Sequence, residues 1–176
     1  MGFWKSLVLL PGMVVHEFAH VLGCLLTGTR VHKVKWFGTS EAFVKHDKPG
    51  ALAGLIISLA PFVLGNVLGF WFLQQSFLSF SAWDFLGIVF FWFGASLVLL
   101  AFPSKEDAEN AFEAFVDSYR EKIFDKNSIL VKLAWLITIP FVFIPLVLVL
   151  GFILLFNYAF FLRLVWAVLF IIIAAG

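Results

Sequence analysis

Apolar stretches about as long as a membrane helix alternate with short polar connections along this chain. An α-helix needs roughly 20 apolar residues to cross a hydrocarbon layer about 30 Å thick. By that measure the pattern predicts five spans, at residues 3–26, 51–73, 83–102, 134–156 and 158–175. The predicted fold class is therefore an all-α polytopic membrane protein with about five transmembrane helices.

The last two predicted spans have features that the first three lack. Pro140 and Pro145 are expected to kink the fourth span, because proline removes a helical hydrogen bond and its ring clashes with the preceding turn. The connection at residues 157–158 is very short, and Arg163 places a charge inside the fifth span. A re-entrant hairpin is therefore the alternative for these two segments.

Basic residues are concentrated in two of the polar connections. The connection at residues 74–82 has none, whereas the two on either side of it hold Arg30, Lys33, Lys35, Lys45 and Lys48, and Lys105, Arg120, Lys122, Lys126 and Lys132. Cytosolic loops of membrane proteins carry an excess of Lys and Arg. The pattern predicts that residues 27–50 and 103–132 are cytosolic and that the N-terminus is outside.

Each predicted cytosolic stretch has a secondary-structure pattern of its own. Residues 31–45 mix β-branched and aromatic residues around Gly38, Thr39 and Ser40, which predicts a short β-hairpin. In the second stretch, apolar residues recur at helical spacing with charges opposite, at Ala108, Ala111, Phe112, Phe115, Val116, Tyr119 and Ile123. This predicts one amphipathic helix that lies on the membrane surface or against the protein.

The second span carries small residues on roughly one face, at Gly50, Gly54, Ser58, Pro61, Gly65 and Gly69. Small residues let helix backbones approach closely in lipid. The sequence therefore predicts tight packing at this face, with the first span as the expected partner.

The composition supports a single integral membrane domain over residues 1–176. Hydrophobic residues make up 62% of the chain and charged residues only 13%, against about a quarter in soluble domains. The expected surroundings are thus the lipid bilayer, and a net charge of +1 gives no indication of a nucleic-acid partner. The single cysteine, Cys24, excludes an internal disulfide and a cysteine-based zinc cluster.

The first span contains three ionisable side chains within about one turn, His16, Glu17 and His20. Residues four apart on a helix project from the same face, so both imidazoles can reach one ion. His-Glu-x-x-His is the arrangement in which two histidines hold zinc and the carboxylate acts as general base on a water molecule. Ionisable groups inside a membrane span are costly and usually mark function. We therefore interpret this turn as a zinc site rather than as helix packing.

A catalytic zinc site needs a third protein ligand and keeps a fourth position open for water. Asp107 is the strongest candidate, because it follows the third span on the predicted side of the membrane where the first span ends. His32 and His46, in the hairpin region, are the alternatives. Asp107 also has a competing interpretation, since Ser104 and Asp107 form a capping-box pattern at the start of the amphipathic helix.

At these residues the chain resembles the site-2 protease family of intramembrane zinc metalloproteases. Residues 16–20 match the family's His-Glu-x-x-His turn in full. Residues 101–108 resemble its second motif, an Asp-Gly after a proline-containing break that supplies the third zinc ligand. Asp107 takes the ligand position, and Ala108 stands where the family has Gly.

The resemblance covers roughly residues 10–115, which form the metal-site core of the predicted domain and leave a C-terminal membrane hairpin at about 130–176. The family also has a Gly-Pro-x-x-Asn element. Here Asn66 follows Pro61 by five residues rather than three. The resemblance assigns Asn66 a hydrogen bond to the substrate or the oxyanion, and an asparagine that only joins helices is the alternative.

The activity implied by the resemblance is hydrolysis of peptide bonds in membrane-embedded protein or peptide substrates, with Zn²⁺ as cofactor. Glu17 would be the general base, and the hairpin at residues 31–45 would correspond to the family's substrate-gripping β-elements. Two other hypotheses belong to different classes. One is a catalytically inactive zinc-binding membrane protein with a structural or sensing role, and the other is a small transporter or proton relay.

Overall fold

The structure is a computed structural model that describes residues 7–36, 42–78, 85–124 and 129–176, and these are mostly helical. The elements in chain order are α1 (Leu10–Thr27), β1 (Val31–Lys35), β2 (Phe43–His46), α2 (Ala51–Leu78), α3 (Phe85–Leu100), α4 (Lys105–Phe124), α5 (Ile129–Tyr158) and α6 (Phe160–Ala175). The order agrees with the predicted sequence of apolar spans, hairpin and amphipathic helix.

Three of the described helices are long and apolar enough to cross a bilayer. They are α1, α2 and the Leu136–Tyr158 part of α5, and a fourth span results if α3 and α4 count as one broken span. Helix α6 has 16 residues, about 24 Å at 1.5 Å per residue, which is shorter than the hydrocarbon layer. A mostly helical architecture with membrane-length helices is thus confirmed, whereas the count of five spans stays a prediction.

The predicted hairpin is confirmed as a two-stranded antiparallel sheet of β1 and β2, with Val34 opposite Val44. Its predicted turn, at residues 38–40, lies outside the described residues. Contacts from the chain just after β2 attach the sheet to α4. Lys48 forms an ion pair with Asp117, which raises the pKa of Lys48 through a hydrogen bond and charge attraction. The backbone N–H of Ala51 donates to Ser118 Oγ at 2.9 Å.

The small residues of α2 pack tightly, but mostly against a different partner from the one predicted. A Cβ added at Gly65 would lie 2.8 Å from the Cβ of Ala101, and one at Gly54 would lie 2.8 Å from the Cβ of Ala114. These glycines therefore allow close contact of α2 with the end of α3 and with helix α4, not with α1. Helix α1 approaches α2 through a glycine of its own, since a Cβ at Gly23 would lie 2.9 Å from the Cα of Ile57.

The amphipathic helix is α4, and its apolar face packs against the protein. Ala108, Ala111 and Phe115 are buried in a core cluster with Leu146, Leu150 and Ile153 of α5. Helix α4 bends away from α3 by 45° at a break of four residues, 101–104. The bend brings the first turn of α4 under the histidines of α1.

The C-terminal hairpin consists of α5 and α6, joined at Ala159. Helix α5 continues as one element through Pro140 and Pro145. Helix α6 packs on α2 and α3 through a second cluster that includes Leu73, Val98, Ala167 and Ala174. The C-terminal hairpin therefore packs against helices on both sides of the break, with α5 on α4 and α6 on α2 and α3.

Candidate metal centre

Helix α1 carries His16, Glu17 and His20 at the centre of the bundle. His20 is 6% exposed and Glu17 is 8% exposed. The Nε2 atoms of the two histidines are 3.3 Å apart. The predicted shared face of the two imidazoles is confirmed, because the four-residue spacing places both rings over the same point.

The ring of His20 is oriented by a backbone carbonyl that a proline sets free. Its Nδ1 lies 2.9 Å from the carbonyl oxygen of Ile57 in α2. In a regular helix that oxygen accepts from the N–H four residues later, but that residue is Pro61, which has no N–H. The close approach at Gly23 brings His20 within reach of the oxygen that Pro61 leaves unpaired.

The ring of His16 is oriented by the break between α3 and α4. Its Nδ1 lies 2.8 Å from the carbonyl oxygen of Leu100, the last residue of α3. The helical partner of Leu100 would be the N–H of Ser104, which instead donates to Asp107 Oδ2 at 2.6 Å. The helix end thus releases one acceptor for His16 and one donor for Asp107.

These two carbonyls determine which ring nitrogens carry protons. A carbonyl oxygen only accepts, so Nδ1 of both His16 and His20 must donate. In the neutral rings each Nε2 is then unprotonated, and the two lone pairs face each other beside a carboxylate. An arrangement of acceptors alone needs a donor or a cation between them, and a water molecule, a shared proton or a metal ion can take that place.

Asp107 supplies that carboxylate from the first turn of α4. Its Oδ1 is 3.2 Å from His20 Nε2, and its Oδ2 is 3.6 Å from His16 Nε2. The capping box is also confirmed, since the N–H of Asp107 donates to Ser104 Oγ at 3.1 Å. The cap and the position beside the histidines, weighed as alternatives in the sequence, are both present. The cap fixes the carboxylate in its orientation.

The donor set fits a zinc ion in chemistry and in size. His16, His20 and Asp107 each offer one ligand atom, and the three atoms lie within 4.8 Å of one another. With zinc–ligand bonds of about 2.0–2.1 Å, ligand atoms of a tetrahedral site are about 3.3 Å apart. Two separations, 3.3 Å between the histidines and 3.2 Å from His20 to Asp107 Oδ1, match that value. The third, from His16 to Asp107 Oδ2, is longer at 3.6 Å. Two histidines and one carboxylate are also a donor set of catalytic rather than structural zinc sites.

A cavity of about 360 Å³ opens onto this group of side chains. Glu17 and both histidines line it, together with Phe43, Val44 and His46 of β2. A cavity of this size holds several water molecules, at about 30 Å³ each, so water can lie next to Glu17. The carboxylate of Glu17 lies at the cavity surface without belonging to the ligand group, as a general base requires.

The other predicted site residues do not belong to the ligand group, although His46 lines the cavity. His32 contacts the Asp47 carboxylate at 2.6 Å in the exposed part of the hairpin, and Nδ1 of His46 lies 2.7 Å from the Asp47 carbonyl oxygen. Neither belongs to the metal-binding group found among the described residues. Asn66 does not line the cavity. Its amide donates to the Phe62 carbonyl at 2.7 Å and accepts from Trp166 Nε1 at 2.8 Å.

Two residues of α2 act on the site in ways that the sequence analysis did not foresee. Ser58 donates from Oγ to the backbone carbonyl of Asp107 at 2.8 Å, and Pro61 frees the Ile57 carbonyl for His20. Ser58 was interpreted only as a small packing residue, and Pro61 also as part of the element that resembles the family's Gly-Pro-x-x-Asn. The available signal was the proline itself, because a proline inside a helix always leaves the carbonyl four residues earlier without its partner.

Comparisons with known proteins add nothing to this geometry. A scan against protein-family models, a search of curated proteins and a search of solved structures each gave no match to the chain. The proposed function therefore rests on the geometry of the site.

Proposed function

We propose that this protein is a zinc-dependent intramembrane endopeptidase, with His16, His20 and Asp107 as zinc ligands and Glu17 as general base. One observation carries the proposal. Two imidazoles with their Nδ1 atoms committed to carbonyls present Nε2 lone pairs to a carboxylate at tetrahedral ligand spacing. The resemblance of residues 16–20 to the site-2 protease family supports the reaction class.

Zinc bound there would supply Lewis-acid activation of a water molecule. The carboxylate of Glu17 accepts a proton from a water molecule while the oxygen of this water bonds to the carbonyl carbon of the substrate. Glu17 then delivers the proton to the amide nitrogen as the C–N bond breaks, so the carboxylate is regenerated. His16, His20 and Asp107 hold their positions throughout, because each is tied to a backbone group of another segment or of its own helix cap.

The proposed substrate is a membrane-embedded protein or peptide that is locally unwound. A helical backbone uses its carbonyls in internal hydrogen bonds, so the scissile bond must leave the helix before it can react. Strand β2 lies in the cavity wall, and an extended segment can add to a sheet edge through main-chain hydrogen bonds. We place the unwound substrate between β2 and Glu17.

The proposed topology has five spans, an outside N-terminus, and cytosolic residues 27–50 and 103–132. Single cysteines placed at Glu41, Ser79 or Asp117 in a Cys24→Ala background test it with a membrane-impermeant thiol reagent. The reagent should reach positions 41 and 117 from the cytosolic side and position 79 from the opposite side. Labelling of positions 79 and 41 from the same side would contradict the topology. Positions 41 and 79 lie outside the described residues.

The metal assignment is tested by the zinc content of purified variants. His16→Ala and His20→Ala should each lose stoichiometric zinc, because two remaining ligands hold the ion poorly. His32→Ala and His46→Ala are the matched histidine controls and should retain it. Loss of zinc in His46→Ala would make His46 the third ligand and exclude Asp107.

The catalytic assignment is tested by Glu17→Gln, which keeps the shape of the side chain but cannot accept the proton. The variant should retain zinc and lose cleavage of membrane proteins, measured by quantitative proteomics of cells that express each form. Equal zinc with no cleavage by either form would favour the inactive zinc-binding alternative. No stoichiometric metal in the wild-type protein would overturn the zinc proposal.

A further inference from the structure

A polar network at the turn between α5 and α6 forms a hydrogen bond to the break between α3 and α4. The Asn157 amide nitrogen donates to the carbonyl of Pro103 at 2.8 Å and to that of Ile153 at 2.9 Å. Arg163 donates from Nη2 to Asn157 Oδ1 at 2.7 Å and from Nε to the Phe156 carbonyl at 2.9 Å. The guanidinium can only donate, so it fixes the Asn157 amide with its nitrogen towards Pro103.

The same turn also holds the aromatic residue of the break. Phe102 is 1% exposed, and its ring stacks on Phe156 with centroids 4.2 Å apart. The Arg163 guanidinium lies 5.7 Å from the centroid of the Phe102 ring, within the range of a cation–π contact. The ring of Phe102 and the carbonyl of Pro103 are thus both held by the C-terminal hairpin.

Phe102 and Pro103 are flanked by two residues that contact the metal centre, Leu100 and Ser104. The Leu100 carbonyl orients His16, and the Ser104 N–H orients the carboxylate of Asp107. Phe102 and Pro103 lie between Leu100 and Ser104, so a displacement of these two residues would move one contact relative to the other. The position of the break therefore sets the distance between Asp107 and His16.

We propose that Asn157 and Arg163 are positioning residues of the metal centre, which they act on through the break rather than by contact with the ion. The inference rests on the proposed zinc site. It accounts for a charge inside the last apolar segment, where an arginine is costly unless its donors are used. Helix packing alone would be served by apolar residues, whereas fixing a carbonyl at a bend requires a donor with a defined direction.

Asn66 provides a matched control in the same bundle. Each asparagine donates to the carbonyl four residues earlier in its own helix and accepts from a side chain of α6, which is Trp166 for Asn66 and Arg163 for Asn157. Asn157 makes one bond more, to the Pro103 carbonyl in the break. Replacing either asparagine by Leu removes the first two bonds, but only Asn157→Leu also releases Pro103.

The test compares zinc affinity and thermal stability of the full-length variants in detergent, with chelator competition for zinc and the visible spectrum of the Co²⁺ form for ligand geometry. Asn157→Leu should weaken zinc binding by roughly 10-fold, the lower end of the loss found when outer partners of a metal site are removed, and should alter the Co²⁺ spectrum. Asn66→Leu should lower the thermal midpoint similarly and leave the zinc affinity and the spectrum as in the wild type.

Three further variants make the result decisive. Asn157→Asp can still accept from Arg163 but cannot donate to Pro103, so it should reproduce the loss even if the leucine variant fails to fold. Arg163→Met should weaken zinc binding, and combining it with Asn157→Leu should add little, because the two act in series. Arg163→Lys should restore only part of the affinity, since lysine lacks the two-pronged donor geometry.

Equal zinc affinity in the wild type and in Asn157→Asp would overturn this inference while leaving the zinc proposal intact. Equal losses in Asn157→Leu and Asn66→Leu, with unchanged Co²⁺ spectra, would also overturn it, because they would show general destabilisation. A wild-type protein that binds no metal would overturn both proposals at once.

Discussion

Two proline-linked interruptions adjoin the candidate metal centre, and they differ in what they release. In α2, Pro61 leaves the helix continuous and frees a single carbonyl, that of Ile57, which binds His20. Between α3 and α4 the chain bends by 45°. This bend frees the Leu100 carbonyl for His16 and the Ser104 N–H for Asp107.

The comparison shows how one histidine pair obtains two orienting partners from different helices. A proline alone removes a donor and therefore offers only an acceptor. A helix end offers acceptors at its C-terminus, and the next helix offers donors at its N-terminus. Only the bend can therefore position a carboxylate as well as a histidine, and it does so beside the two rings.

Asp107→Ala should have the largest effect on this arrangement, since it removes the carboxylate that the bend delivers. Zinc affinity should fall by more than about 100-fold, because even outer partners of metal sites cost roughly 10–100-fold, and cleavage should be lost. Chelator competition measures the affinity, and circular dichroism checks that the helices remain.

Ser104→Ala is its control, because it removes the Oγ half of the capping box and leaves the Ser104 N–H that orients Asp107. It should cost about 0.5–2 kcal/mol of helix stability and retain zinc. If Asp107→Ala and Ser104→Ala behave alike and both retain zinc, Asp107 serves only as a helix cap.

Pro61→Ala should have an intermediate effect, because it tests the simpler interruption. Alanine restores an N–H at position 61 that competes with His20 for the Ile57 carbonyl. We expect zinc affinity to fall by roughly 10-fold, measured by the same competition, although the helix itself gains a hydrogen bond. Pro145→Ala, in the exposed part of α5, is the matched control and should leave zinc binding unchanged. Equal zinc affinities in the two variants would show that Pro61 has no role in orienting His20.

Ser58→Ala should have the smallest effect. It removes one neutral hydrogen bond, from Ser58 Oγ to the Asp107 carbonyl, worth about 0.5–1.5 kcal/mol. Zinc affinity should therefore fall by at most roughly tenfold. Ser76→Ala is the control, because it removes a comparable buried bond at the other end of α2, to the Gly87 carbonyl at 2.9 Å. It should lower the stability of the protein and leave its zinc affinity unchanged. A larger loss of zinc in Ser76→Ala than in Ser58→Ala would contradict the local role of Ser58.

The repeating features of the fold were predictable because each depends on short-range geometry. The lengths of the apolar stretches predicted the membrane-type helices, and the four-residue spacing predicted that His16 and His20 share one face. The β-branched and aromatic residues around the turn predicted the hairpin, and the Ser104–Asp107 pattern predicted the helix cap. The bounds were less exact, since α2 continues to Leu78 rather than ending at residue 73.

The packing partners were not predictable, because a small-residue face indicates a close contact without naming the helix that makes it. The glycines of α2 were expected to meet α1, but Gly65 packs on Ala101 and Gly54 packs on Ala114. Asn66 had two interpretations in the sequence, a hydrogen bond to the substrate or a link between helices, and the structure shows the link, from α2 to α6.

The sequence by itself determined the membrane-type helices, the paired histidines with Glu17 between them, and the helix cap at Asp107. The sequence offered Asp107, His32 and His46 as third ligands, and the tertiary structure brings Asp107 to the histidines. It alone decided that carbonyls 37 and 84 residues away orient the two rings and that Arg163 donates to Asn157. The physical reason is the range of the interactions. Spacing along one helix is set by backbone geometry, whereas contacts between distant segments depend on how the helices pack, which no local pattern specifies.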